Sequence, residues 1–219
     1  LETEQIRRFR KEYEIDALYQ WFQELLASYY RWADYQVRWQ DRRNASMQGL
    51  EFPFPYRPGQ RDIVRGVYHA IASRKQLFVQ APTGVGKTMS VIFPAVRAIG
   101  EGLGEKFFYL TAKTVARTVA EEAVSLLEQH GLLFQALTLT AKEKICPMDR
   151  PACNPEECPY AKGHFNRVND AVYELWISET ALNREAIETQ AVKWQVCPYE
   201  MSLDLAQWVD GVICDYNYV

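Results

Sequence analysis

No run of apolar residues in this 219-residue chain approaches the roughly 20 that a membrane helix needs. The opening residues carry too many charges for a secretory signal. A folded, soluble protein in the cytoplasm, with no membrane partner, is the expectation. None of the five cysteines forms a CxxC pair, so the knuckles by which zinc modules usually close a tetrahedral site are missing. Neither glycine nor proline occurs before Gly49, and no internal repeat or low-complexity tract is found. The three histidines, His69, His130 and His164, show no ligand or catalytic-base spacing. The chain begins on Leu1 rather than Met and ends at Val219 directly after an apolar run, which reads as a piece of something longer.

Nearly half of the residues are apolar, enough for one good core or for one core with a smaller appended module. The net charge of −3 argues against a surface devoted to nucleic acid, but the charge is uneven. Lys and Arg outnumber Asp and Glu by 11 to 7 between Arg61 and Lys144, and are outnumbered 5 to 12 from Ile145 to Val219. A basic segment followed by an acidic one permits a nucleic-acid track, and solvated charged faces explain it equally well.

Apolar residues recur at helical spacing through Leu18, Trp21, Phe22, Leu25, Leu26 and Tyr29, which predicts one long helix or a helical pair before about Ser46. Its aromatics, Trp32 and Trp39 among them, are read as packing rather than as a base-stacking platform. Pro53, Pro55 and Pro58 then break the helix and mark an extended linker. A helix is expected over 60–72 and a short buried strand over 77–80. A helix follows over 88–99, which Pro94 must kink or end. Strands are expected at 107–111, 136–139 and 211–214, with a helix at 114–129. Such alternation predicts an α/β fold with a parallel, helix-covered sheet. The domain reading is an N-terminal helical extension (1–50), a nucleotide-binding α/β segment (51–144), a mainly helical cysteine insert (145–201) and a return to the α/β domain (202–219).

Ala81-Pro82-Thr83-Gly84-Val85-Gly86-Lys87-Thr88 follows the strand expected at 77–80. Backbone N–H groups in a loop of this kind point at phosphates, and the dipole of the helix it opens favours their charge. Gly84 and Gly86 let the backbone approach, Lys87 reaches the terminal phosphates, and Thr88 offers its hydroxyl to Mg2+. This is a binding loop for ATP or a related triphosphate. Gln60 stands about twenty residues upstream, and its amide has both the donor and the acceptor that adenine N6 and N7 require. The bland alternative is an ordinary helix-start residue. Downstream, Thr111, Lys113, Thr114 and Arg117 lie at a strand end and in the helix after it, where charge and short hydroxyl bonds could hold nucleic-acid phosphates. A surface lysine and a helix cap are the competing reading.

Four cysteines, Cys146, Cys153, Cys158 and Cys197, fall within the insert, while Cys214 lies in an apolar strand as a core residue. In a cytoplasmic protein such a cluster binds metal more readily than it forms disulfides. Proline follows Cys146, Cys158 and Cys197, a neighbour also found after ferredoxin cluster ligands. These residues favour a 4Fe-4S cluster and leave zinc as the alternative. Tyr160, Phe165 and Arg167 are read as packing around the group.

The order of the P-loop, Leu110-Thr111-Ala112-Lys113-Thr114, the four-cysteine insert and Val212-Ile213-Cys214-Asp215-Tyr216-Asn217-Tyr218 resembles the iron-sulfur DNA helicases of superfamily 2, the group of bacterial DinG and eukaryotic XPD. Ala81 in place of the first glycine is typical of helicase-type ATPases. The resemblance runs from about Phe52 to Val219. It implies a RecA-like first motor domain with an inserted cluster domain, ATP and Mg2+ as ligands, and 5′ to 3′ movement on single-stranded and forked DNA. It also implies ligation by the four insert cysteines, adenine contact by Gln60 and a DNA contact by Lys113. The acidic Asp-Glu-x-His box of such motors does not occur in this chain, and neither does the second motor domain, so unwinding is expected only of a longer polypeptide. Two other readings stay open: a P-loop ATPase with a structural zinc module, and a non-catalytic nucleotide-dependent DNA-binding module.

Overall fold

The computed structural model describes residues 8–112, 114–178 and 181–218. The chain divides into two compact units, Leu1–Trp39 and Gln40–Val219.

In the first unit the helical periodicity produces most of α1 (Ile15–Gln48), a single helix rather than a pair. Leu18, Trp21, Phe22, Leu25 and Leu26 are all more than two-fifths exposed, and Tyr35 stacks on Trp39.

The second unit begins inside α1. Met47 and Leu50, within the stretch expected as extension, are core residues here. The end of α1 meets α3 (Lys87–Gly100): Gln48 donates to the Gly100 carbonyl at 2.6 Å, and Arg97 donates to the carbonyls of Gln48 and Leu50. A cation on the free carbonyls of a helix end satisfies acceptors that have no partner within the helix. Gly100 is required by this approach, because a Cβ there would stand 2.5 Å from Met47 Cβ.

Helix α2 (Gln60–Ala72) starts after Gly59, whose φ of +76° turns the chain, and packs on α3. Helix α3 runs through Pro94 without ending there. The ring takes away one backbone donor, and the surrounding burial of Phe93, Val96 and Ile99 holds the helix together. Strand β1 (Phe107–Leu110), helix α4 (Thr114–Gln129) and strand β2 (Ala136–Thr138) follow as expected. A short α5 (Lys142–Ile145) leads into the cysteine region, which continues through α6 (Val168–Ser178), β3 (Ala181–Leu182), α7 (Arg184–Trp194) and α8 (Pro198–Leu205), and β4 (Gly211–Cys214) closes the sheet.

The sheet is parallel, ordered β1-β4-β2-β3. Phe107 pairs with Gly211, and Leu137 with Val212. β4, buried at every position, is flanked on both sides, and such strands read as continuous apolar runs. Gly211 gives room to the stacked rings of Phe107 and Phe134: a Cβ would lie 2.7 Å from Phe134 and 3.0 Å from Phe107. Ile92, Val96, Val124, Leu127, Phe134 and Ile213 form the main core between helices and sheet.

Two expectations change. Residues 77–80 pair with no strand among the described residues, and Phe78 is 92% exposed. Apolar composition suggests a strand, but a neighbouring ladder makes one. The cysteine region is not a separate body: β3 within it pairs with β2 as an edge of the main sheet.

Candidate functional site

Residues 81–86 form the loop that opens α3. Gly84 and Gly86 have φ of +83° and +84°, a conformation other residues adopt only with strain. Gly86 is also the residue before the first helical turn, so the free N–H groups at the start of α3 face the end of the loop. Lys87 lies back across the loop, with Nζ 2.8 Å from the carbonyl oxygens of both Ala81 and Pro82. Thr83, Gly84, Gly86, Lys87 and Thr88 share the wall of a cavity of about 540 Å³ with Arg57 and with Val119 and Glu122 of α4. Val85 is half-buried.

Gln60 is brought to this loop from the start of α2. It is 4% exposed, and its Nε2 would stand 2.6 Å from a Cβ on Gly86. Its Oε1 accepts the N–H of Arg57 at 3.0 Å, while its own N–H donates to the Arg57 carbonyl at 3.0 Å. The turn 57–60 is therefore closed from both ends and wedged against the loop. The Arg57 guanidinium donates to the Gly84 carbonyl. A second cavity of about 390 Å³, lined by Phe54, Pro55 and Gln60, meets the first at Arg57, Gly86 and Met89. Sequence reading singled out Gln60 but passed over Arg57 and Glu122, because neither has motif spacing to mark it.

At the C-terminal ends of the parallel strands, Thr111 donates its N–H to the Cys214 carbonyl at 3.0 Å, and Arg117 reaches the Leu139 carbonyl at 3.3 Å. Thr111 and Arg117 thus sit at one sheet edge. Arg117 also fastens α4 to the end of β2. Lys113 and the side chain of Thr114 lie outside the described residues.

Cys146, Cys153, Cys158 and Cys197 line one cavity of about 530 Å³, although 51 residues separate the first from the last. Cys158 is buried, Cys146 and Cys197 are half-buried and Cys153 is exposed. Three local devices converge on this cavity. The Asn154 side chain accepts the N–H groups of Glu156 and Glu157, turning the chain between Cys153 and Cys158. Pro198 opens α8 immediately after Cys197. His164, 4% exposed, accepts the Cys197 N–H on Nδ1 at 3.2 Å. Burial lowers the His164 pKa and raises that of the Cys197 thiol. A hydrogen bond to Cys153 raises the Lys142 pKa, and Lys142 also stands 5.3 Å from the centroid of the Tyr199 ring.

Tyr160 and Phe165 line the cavity, with Phe165 85% exposed at its rim. Arg167 instead binds the carbonyls of Lys162, Trp194 and Gln195 and so ties the cysteine loops to α7. Among the described residues, no three His, Cys, Asp or Glu side chains are gathered closely enough to hold a metal ion. The donor set, four thiols around one space, fits a group with four cysteine ligands better than it fits a single ion. Zinc with sulfur bonds of about 2.3 Å would need the thiols drawn tightly together. His164 carried no recognisable spacing in the sequence and is identified here only by its place.

No helix among the described residues is long and apolar enough to cross a membrane.

Residues 57–147, which hold the 57–60 turn, the loop, α3, β1, α4 and β2, match the sequence model of the DEAD/DEAH box helicase family. Over 47 residues the chain is 40% identical to a protein of Methanocaldococcus jannaschii described as a probable ATP-dependent helicase, a stretch that covers 21% of this chain and 7% of that protein. The matched segment contains the loop, its cavity and the parallel strands behind it, and together these support a nucleotide-binding, helicase-type ATPase of the helicase superfamily.

Proposed function

We propose that the chain is the nucleotide-binding part of an ATP-dependent DNA helicase of the iron-sulfur kind, working as part of a longer motor. The observation that carries this reading is the loop 81–88, with two left-handed glycines, Lys87 and Thr88 on one cavity wall and Gln60 wedged behind them, inside the segment that matches helicases. Lys87 and the N–H groups at the start of α3 hold the phosphate chain, Thr88 holds Mg2+, and the Phe54–Gln60 compartment takes the base. Lys87 stabilises charge on the transferring phosphoryl group. The acid that aligns water belongs to a segment outside this sequence. Thr111, Lys113, Thr114 and Arg117 form the DNA-contacting edge, and movement from 5′ to 3′ follows from the resemblance.

The cysteine cavity is proposed to bind a 4Fe-4S cluster through Cys146, Cys153, Cys158 and Cys197, supported by their convergence on one space. When bound, such a cluster supplies a rigid four-point crosslink and a redox-active centre. Around it, His164 fixes the Cys197 backbone and Arg167 ties the flanking loops to α7.

The test is nucleotide binding by the purified chain and ATP hydrolysis by the longer protein in the presence of single-stranded DNA. Charge-assisted hydrogen bonds contribute about 1.5–3 kcal/mol, so Lys87→Ala should weaken Mg-ATP binding at least tenfold and abolish DNA-stimulated hydrolysis. Normal hydrolysis by that variant would refute the mechanism. Protein purified without air should be brown and contain iron and acid-labile sulfide. Colourless protein with one zinc per chain would exclude the cluster and leave the nucleotide site standing.

A further inference from the structure

Arg57 is fixed by its sequence neighbours. Pro58 restricts the residue before it to extended backbone, Gly59 turns the chain at φ +76°, and Gln60 closes the turn through two hydrogen bonds with Arg57. Because Gln60 is itself packed against Gly86, the Arg57 backbone is held at a set place beside the phosphate loop. From there the guanidinium reaches the Gly84 carbonyl, at the centre of that loop.

A guanidinium has five N–H donors, and one bond to Gly84 leaves others for a ligand. Arg57 lines both cavities: the one that holds Lys87 and Thr88, and the one that holds Phe54 and Gln60. A nucleoside triphosphate is laid out as base, sugar and phosphate chain, so a cation at the seam between the two cavities meets the start of the phosphate chain. Its bond to the loop carbonyl keeps it on the phosphate side of that seam.

We propose that Arg57 is a nucleotide-binding residue that grips the sugar-proximal phosphates, with Gln60 as the positioning residue that aims it. This inference rests on the nucleotide-binding reading of residues 81–88. It gives Gln60 a second role beyond any contact with the base.

Mg-ATP binding by the wild-type chain and by Arg57→Ala, Arg57→Lys and Arg57→Phe separates phosphate contact from base stacking. With phosphate contact, Arg57→Ala weakens binding about tenfold or more, as expected for loss of a charge-assisted bond. Arg57→Lys should recover part of that loss as a point charge without the planar fork, and Arg57→Phe should bind no better than Arg57→Ala. If Arg57→Phe binds as the wild type does, the side chain stacks on the base and the proposal is overturned. Unchanged binding in Arg57→Ala also overturns it. If the wild-type chain binds no nucleotide, the reading of the loop itself fails, a result distinct from either. The Lys and Phe variants keep the test decisive should the Ala variant fold poorly, and their thermal unfolding midpoints report on folding.

Discussion

Gly86 shows how much of the site depends on what a single residue lacks. Its φ of +84° disfavours any side chain, and the space a Cβ would take is filled by Gln60 Nε2. Gly86→Ala therefore meets backbone strain and a displaced buried amide together. Strain of this type costs about 1–3 kcal/mol. The urea midpoint should fall accordingly, and nucleotide affinity should fall with it because the loop is what deforms. Gly84→Ala, at a similar φ but with nothing within 4 Å, should lose stability through strain alone. The two glycines were legible in the sequence because phosphate loops demand them at fixed spacing. Arg57 was not, since its importance comes from a turn closed by Gln60 and from a cavity seam, neither of which one-dimensional spacing records.

Secondary elements were readable wherever periodicity ran long enough. Helices α2 and α4 match the spacing of their apolar residues, and β1, β2 and β4 fall on the apolar runs. β3 has two residues, too few to show an alternation, and 77–80 has the composition of a strand without a neighbour to make it one. In the cysteine region, the pairing of α6 with α7 is carried partly by charge. Glu174 on α6 accepts from Lys193 and, at 2.9 Å, from the Trp194 indole N–H on α7. The Lys193 hydrogen bond holds the Glu174 carboxyl below its ordinary range. A depressed carboxylate contributes stability above its unfolded value, and that contribution is lost as the pH falls through the folded value. An exposed pair of this kind carries about 0.2–1 kcal/mol. Acidification should thus change Trp194 fluorescence and lower the melting temperature slightly more in the wild type than in Glu174→Gln.

Across the second unit, one buried ion pair joins parts of the chain that are far apart in sequence. Asp210 is fully buried between the Arg43 guanidinium and the Gln135 N–H, which it accepts at 2.9 Å, and Arg43 also reaches the Glu105 carbonyl at 3.2 Å. The end of α1, the approach to β1, the entry to β2 and the start of β4 meet there. A separation of 167 residues hid this pair from any motif search. Removing one partner of a buried pair leaves an uncompensated charge and costs about 3–5 kcal/mol. Asp210→Ala should lower the urea midpoint by that amount, while Arg43→Met with Asp210→Leu should lose markedly less. Equal losses would show that packing, rather than charge, holds the junction.

The strand order also sets an order of assembly. β4 is the last strand in sequence, yet it is the only partner of β1 and the one that joins it to β2. As the chain emerges from a ribosome, β1 waits unpaired while about a hundred residues, including the whole cysteine region, are made. Pairings so distant in sequence are slow to form and leave apolar edges exposed in the meantime. Orderly folding of the cysteine region therefore decides whether β4 arrives in register, so an inability to gather those cysteines would be felt first as a failure to complete the nucleotide-binding core.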